Sequence, residues 1–411
     1  MQLPRGAPLR NPIPYAAPPL PVQRPVARTQ SKFLRRALLT LLAVLFALAV
    51  ARTFVGDIYR VESTSMEPTI RGSPEYVFVR YGRDFTPQRF DVVVFAPAAR
   101  ESGAVVKRVG ALPGESALIS GGDLLIEGHR LGVAVQRPLP VAIFDSALEP
   151  IEVAFSLPGV ALERGHGGWK LNAQGRREDL NFNRRARDDR FDENGKLIFG
   201  SVEVNDLRIE GRFAFEHSGK CTLRLTEEGD GFELELTLVD GVIERARILR
   251  RAGTAELAVI ATLERPGPAK PGELCRVSFE NIDNILIAEV CGRTISGTYE
   301  SNTPLPGVVE ENYRHLQPRV GLAVAELGLR IERLAVLRDL YYTTKGALGT
   351  GSPVALGPDE IFVLGDNSAD SDDSRVFGPV RLEELAGRAT RVVWPLAAVR
   401  SLGQLRLLTA L

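Results

Sequence analysis

Hydrophobic and polar positions divide the chain into three kinds of stretch. Residues 1–31 show no apolar period. Pro4, Pro8, Pro12, Pro14, Pro18, Pro19, Pro21 and Pro25 interrupt them, which forbids a helix and favours extended, disordered chain. From Ala37 to Ala51 every residue but Thr40 is apolar, and Lys32, Arg35, Arg36 and Arg52 flank the run. Fifteen helical residues at about 1.5 Å each reach about 22 Å, against about 30 Å of bilayer hydrocarbon. Phe33, Leu34, Phe54 and Val55 lengthen the apolar stretch if the arginines snorkel. The pattern predicts a transmembrane helix over 32–55 behind a Pro-rich cytoplasmic tail, 1–31. The basic excess precedes the helix and so keeps the N-terminus cytoplasmic. A cleavable signal peptide is the competing reading, because Ala47-Leu48-Ala49 and Ala49-Val50-Ala51 look like small-residue cleavage sites. The length of the Pro-rich leader favours the uncleaved anchor.

Beyond the anchor the period shortens to two. Tyr76–Arg80, Asp91–Phe95 and Ala104–Val109 are β-branched runs set between Gly, Pro and charged residues, which predicts strands. Phe232–Leu238 alternates apolar with polar, and Ile285–Val290, Pro318–Val324 and Leu329–Leu337 continue the strand pattern. Residues 170–196 are highly charged and carry two turn signals, Ala173-Gln-Gly175 and Glu193-Asn-Gly195. Val380–Gly387 reads as a short helical turn, and Val392-Val-Trp-Pro395 as the close of the last strand. The fold class expected is mainly β.

Composition narrows the function. Fifty-one basic residues balance 51 acidic ones in 411, which argues against a nucleic-acid binder. Cys221, Cys275 and Cys291 lack zinc spacing, and the four histidines are scattered, none of them in a metal-type cluster. Only seven of the basic residues are Lys. A lysine at a strand position is therefore a choice that the rest of the chain does not make.

Three segments carry candidate chemistry. Ser63-Thr-Ser-Met-Glu-Pro-Thr69 is a hydroxyl-rich loop in which Ser65 could present a nucleophile, provided a neighbouring base takes its proton; alone it equally reads as a turn or helix cap. In Val105-Val-Lys-Arg-Val-Gly-Ala-Leu-Pro-Gly114, strand alternation puts Lys107 on the face of Val105 and Val109, with Arg108 opposite. Desolvation there lowers a lysine's pKa, and neutral lysine is what a general base requires. Arginine cannot serve. The bland alternative is an edge-strand lysine snorkelling to water. Phe362–Gly378 runs from a strand into Gly365-Asp-Asn367 and then a dense set of Ser, Asp and Arg. Asp372 and Asp373 raise a calcium loop, but EF-hand spacing and its terminal Glu are missing.

Taken in order, these segments resemble the boxes of bacterial type I signal peptidases over about residues 32–130 and 345–400. Ser63–Thr69 matches the nucleophile box and Lys107–Glu115 the base box. Arg89–Phe95 looks like the family's Arg-Gly-Asp strand, with Phe90 in place of the usual Gly. Gly365–Arg375 matches the Gly-Asp-Asn box, with Ser368 where an Arg often stands, and Gly387-Arg-Ala with Trp394-Pro395 looks like the C-terminal end. The resemblance implies a serine endopeptidase with Ser65 as nucleophile and Lys107 as general base. Ser63 would supply an oxyanion-hole hydroxyl and Ser371 would orient the Lys107 amine. Asp366, Asp373 and Arg375 would form supporting polar pairs. Residues 62–65 and 104–107 would be the strands that pair with an extended substrate. Expected substrates are preproteins cut after small residues (Ala-x-Ala) at the outer face of the cytoplasmic membrane. The phospholipid membrane is the implied surroundings and the secretion translocon a candidate partner.

The resemblance assigns 56–130 and 345–400 to the catalytic domain and leaves 131–344 as an insertion. Its strand pieces look like concanavalin-type or laminin-G-type β-sandwiches, with no legible ligand. An inactive, membrane-anchored protein whose sandwich binds glycan or protein is the alternative; keeping both Ser65 and Lys107 speaks against it. A self-cleaving repressor of LexA type is a second, opposed by the anchor. A hairpin turning near residue 283 would place Cys275 opposite Cys291, within disulfide range. Outside the cytoplasm such a bridge persists, leaving Cys221 free. Three buried thiols are the competing expectation.

Overall fold

The computed structural model describes residues 28–406 apart from 55, 73–74, 82–84, 97–102, 133–134, 136, 158–161, 193, 228, 268–269, 301–318 and 404. Residues 1–27 of the tail expected over 1–31 lie outside them. Arg28–Phe54 is one helix of 27 residues, so helix begins inside the stretch expected to be tail. It forms a unit of its own. Phe33, Leu34, Leu38, Leu42, Leu45 and Phe46 are exposed along it. The helix expected over 32–55 is present within Arg28–Phe54; among the described residues no helix is long and apolar enough to cross a membrane.

The remainder is mainly β. One antiparallel sheet carries the candidate chemistry. Its strand order is Gly56–Arg60, Tyr76–Arg80, Leu385–Trp394, Val92–Phe95, Val105–Ala111, Glu360–Leu364 and Val380–Arg381, with Arg400–Ser401 at the side of Leu385–Trp394. Segments more than 200 residues apart in sequence thus alternate within one sheet. Two apolar clusters pack against it. One gathers Val61, Met66, Ile70, Val77, Val79, Val92 and Val94; the other gathers Val93, Phe95, Val109, Ile361, Val363 and Val380. Val92, Val93, Val94 and Phe95 are all buried, as a strand covered on both faces must be. The expected helical turn over 380–387 is instead two strand residues, a single 3₁₀ turn at Leu382–Glu384 and the start of the long strand Leu385–Trp394.

Between these halves the chain builds two further antiparallel sheets. One runs Leu162–Gly165, Gly168–Asn172, Gly328–Arg338, Leu207–Glu216, Cys275–Ile282, Ile285–Val290, Arg293–Thr298, with Val141–Asp145 also on Gly328–Arg338. The other runs Ala258–Glu264, Val242–Arg251, Asp230–Val239, Gly219–Glu227, Val320–Ala325, Arg177–Phe182, Phe155–Ser156. Alternating residues from both, among them Phe213, Phe215, Leu234, Phe279, Leu322 and Val336, share a single core. That is the arrangement of a β-sandwich, whose inner faces interdigitate while outer faces meet solvent.

Cys275 and Cys291 are disulfide-bonded with Cα atoms 4.9 Å apart, and Cys221 is a free, buried thiol. The turn differs from expectation by half a residue. It comprises Asp283 and Asn284, both at positive φ (49° and 64°), as a two-residue hairpin turn requires. Ile282 then pairs Ile285 and Val277 pairs Val290, so Cys275 is not directly opposite Cys291. The chain closes the difference at Cys291, which leaves the strand with φ 50° and donates its N–H to Arg276 O at 2.9 Å.

Candidate active site

The Ser63–Thr69 box does not form the strand expected over 62–65. Thr64–Met66 is a 3₁₀ turn closed by the Glu67 N–H donating to Thr64 O at 3.0 Å. Met66 and Ile70 are buried anchors beneath it. Ser65 is itself only 5% exposed. Lys107 lies on Val105–Ala111, as expected, with Val93 as its cross-strand partner. Side chains at paired positions share a sheet face, so Lys107 rises from an apolar surface of Val93, Val105 and Val109 and is 3% exposed. Its Nζ donates to Ser65 Oγ at 2.5 Å. Ser63 Oγ lies 3.1 Å from Ser65 Oγ. These three residues, predicted together, are brought together.

The Gly365–Arg375 box wraps the same turn. The Asn367 N–H donates to Ser65 O at 3.0 Å, and Asn367 Nδ2 to Thr64 O at 3.1 Å. Thr64 Oγ1 donates to Asp370 at 2.5 Å. Gly365 is required by close approach: a Cβ there would stand 2.1 Å from Ser371 Oγ and 2.6 Å from Ser65 O. Ser371 is fully buried against that glycine, and its Oγ has no hydrogen-bond partner. The orienting bond expected from Ser371 to Lys107 is therefore absent, because the loop turns this hydroxyl onto the Gly365 backbone.

Two buried ion pairs hold the box in shape. Asp373 accepts from Arg375 Nε at 2.8 Å and Nη2 at 2.7 Å, with both side chains wholly enclosed. Ser368, where the family often has Arg, accepts from Arg375 Nη1 at 2.6 Å. Asp366 accepts from Arg108 Nε at 2.7 Å and Nη2 at 2.6 Å. Burial works to lower the Arg108 pKa, but Asp366 more than offsets it and the guanidinium is held further into its charged range. Arg108 also donates to Phe90 O at 2.8 Å. Phe90 has φ 68°, the left-handed region that glycine enters freely. The sequence pattern pointed to Asp366, Asp373 and Arg375 but not to Arg108, whose partner is 258 residues away. It also missed Arg190, which grips Glu67 from 123 residues away. No local signal in the chain marks either contact.

The ladder between Val105–Ala111 and Glu360–Leu364 ends at the pair Arg108–Leu364, so the strand beyond it, 105–107, continues past its neighbour beside Ser65. A set that could hold a metal stands apart from this chemistry. Asp123, Asp206 and Asp283 offer oxygens within 4.8 Å of one another. They line a small cavity with Arg137, Asp339 and Tyr342, and neither Ser65 nor Lys107 is in its wall. Burial, then the neighbouring Asp283, push the Asp123 carboxyl up to about 8; burial, then Asp123, raise Asp206 well above the usual carboxylate range.

The family described as "Signal peptidase, peptidase S26" matches residues 34–145 and 330–394. Those two segments are similar to that family. A signal peptidase I from Leptolyngbya laminosa is 36% identical over 98 residues, 22% of this chain and 48% of that protein. A probable signal peptidase I-2 from Synechocystis is 33% identical over 95 residues, 22% of this chain and 43% of that protein. One from Bacillus caldolyticus is 32% identical over 101 residues, covering 24% and 54%. The chain thus spans about half the length of these curated relatives. Among solved structures, a carbohydrate-binding module from Bacillus subtilis is 9% identical with a TM-score of 0.30, covering 45% of this chain and 95% of that one. At that score the likeness carries no argument.

Proposed function

We propose that this chain is a serine endopeptidase that removes N-terminal signal peptides from exported preproteins, using Ser65 and Lys107. The observation that carries the reading is the 2.5 Å contact between Lys107 Nζ and Ser65 Oγ inside a buried, apolar-walled site. With the amine neutral, the same contact lets the Ser65 hydroxyl donate to the nitrogen lone pair. As Oγ attacks the scissile carbonyl carbon, its proton passes to Nζ and the carbonyl π electrons move onto oxygen. Ser63 Oγ, 3.1 Å from the attacking atom, is the side-chain donor for that oxyanion. Such a donor contributes about 3–4 kcal/mol to transition-state stabilisation. The ammonium then returns its proton to the leaving amine, and water hydrolyses the acyl-enzyme by the same route. The substrate lies extended along the 105–107 strand, and small pockets take Ala-like residues at the Ala-x-Ala positions.

The site of action proposed is the outer face of the cytoplasmic membrane, with the exposed apolar side chains of Arg28–Phe54 as the surface that lipid would cover. The domain division proposed is a catalytic domain over 56–130 and 345–400 with 131–344 as a scaffold or docking module. Cleavage of an Ala-x-Ala preprotein by the detergent-solubilised chain tests the function. Ser65→Ala, Lys107→Ala and Lys107→Arg should each abolish cleavage, because a retained charge is useless to a base. An active Lys107→Arg enzyme would remove the general base from the mechanism.

A further inference from the structure

We propose that Arg190, carried by the inserted sandwich, is a positioning residue for the Ser65 turn and acts through Glu67. The inference rests on the Ser/Lys reading above. Arg190 Nε donates to Glu67 Oε2 at 2.8 Å and Nη2 approaches the same oxygen at 2.6 Å. Both side chains are largely enclosed, 22% and 17% exposed. Glu67 is the closing residue of the 3₁₀ turn that bears Ser65, and its Oε1 accepts from the Gly72 N–H at 3.4 Å. The carboxylate thus ties the turn to the loop that follows it. The opposite side of the turn is held by Asn367 and Asp370. The nucleophile sits between two clamps, one from the peptidase domain and one from the insertion.

The second clamp has a rigid root. Arg190 stands on the two-stranded ribbon Arg190–Phe191 and Leu197–Ile198. Asp189 Oδ1 accepts from the Gly200 N–H at 2.6 Å and Asp188 Oδ1 from the Val202 N–H at 2.8 Å. The Arg338 guanidinium donates to Asp188 O and Asp189 O, both at 3.3 Å. Arg338 ends the sandwich strand Gly328–Arg338, so the ribbon is fixed to the core of the insertion. A shift of the sandwich on the peptidase domain would therefore be felt at Glu67. Misplacing a nucleophile by about 1 Å costs up to about 100-fold in rate.

The test compares Arg190→Ala, Arg190→Lys, Glu67→Gln and the Arg190→Ala/Glu67→Gln pair in the full-length protein, with rates expressed per titrated active site. Arg190→Ala and Glu67→Gln should each lower kcat about tenfold with little change in KM. The pair should be no slower than the slower single variant, and Arg190→Lys should recover part of the loss. A parallel arm follows acylation of Ser65 by a small serine-reactive electrophile, mapped to its peptide by mass spectrometry, and should slow in the same order. An unchanged kcat per site in Arg190→Ala, or multiplied losses in the pair, would overturn the proposal. If the wild type acylates at Ser65 but cuts no preprotein, the substrate reading fails, and the acylation rates still decide the role of Arg190.

Discussion

Phe90 shows how a single residue can record a backbone demand that its side chain opposes. Its φ of 68° costs an ordinary L-residue about 1–2 kcal/mol. The conformation is imposed by the Phe90 N–H donating to Val109 O at 2.7 Å and by its carbonyl accepting from Arg108. Its ring is meanwhile 5% exposed and contributes to the fold by burial. The two effects separate by substitution. Phe90→Ala loses the ring and keeps the strain, so it should destabilise by about 3–5 kcal/mol. Phe90→Gly loses the same ring but relieves the strain, and should be less destabilising by about 1 kcal/mol. Urea denaturation of the three proteins checks the order, and equal losses for Gly and Ala would show that the left-handed backbone is not strained.

At the scale of elements, the inserted hairpin makes the next claim. Cys275–Ile282 and Ile285–Val290 are held by a two-residue turn and closed below by the disulfide. A cross-link closing a loop of about 15 residues restricts the unfolded chain by about 3 kcal/mol. Reduction should therefore lower the melting temperature, and non-reduced peptide mapping should find Cys275 joined to Cys291 with Cys221 as a thiol. Burial pushes that thiol up to about 12, so it should resist alkylation until the protein unfolds; rapid native labelling would contradict its placement. The hairpin also shows what sequence can reveal. Period-two alternation found the strands and their approximate register, since each apolar position declares its face. It could not resolve the half-residue difference at Asp283-Asn284, because the left-handed Cys291 leaves no mark in composition. The candidate site was legible for a similar reason. Ser65, Lys107 and Asp366 sit in segments whose residue types are costly to place without function, whereas the Arg108–Asp366 and Arg190–Glu67 pairs are spatial facts between distant segments. Ser371 was legible as a residue and misassigned as a contact, since its hydroxyl direction is set by the close packing at Gly365.

Across the whole molecule, the sandwich and the segment that precedes it meet at a set of carboxyls. Asp123 comes from a strand of the peptidase segment, Asp123–Ile126, while Asp206 and Asp283 come from the sandwich. Arg130 pairs with Asp123 and Arg137 with Asp283, and Glu227 and Asp339 complete the acidic surroundings. Burial, then the neighbouring carboxylates, penalise charge on Asp123 and Asp206. Asp123 is accordingly raised from 3.8 to about 8, and Asp206 rises with it. A carboxyl with a folded pKa above its unfolded value holds more protons in the folded protein between the two values. Stability must then fall as pH rises through that window. The contribution is fully present below about pH 4 and lost by about pH 8 for Asp123. It runs opposite to the usual salt-bridged carboxylate. Asp206→Asn keeps a neutral, similarly shaped side chain and should raise the melting temperature more at pH 8.5 than at pH 5. Thermal scans of the detergent-solubilised protein at the two pH values decide the matter, and an Asp206→Asn protein less stable than wild type at pH 8.5 would mean that this carboxylate is charged and paired in the folded state.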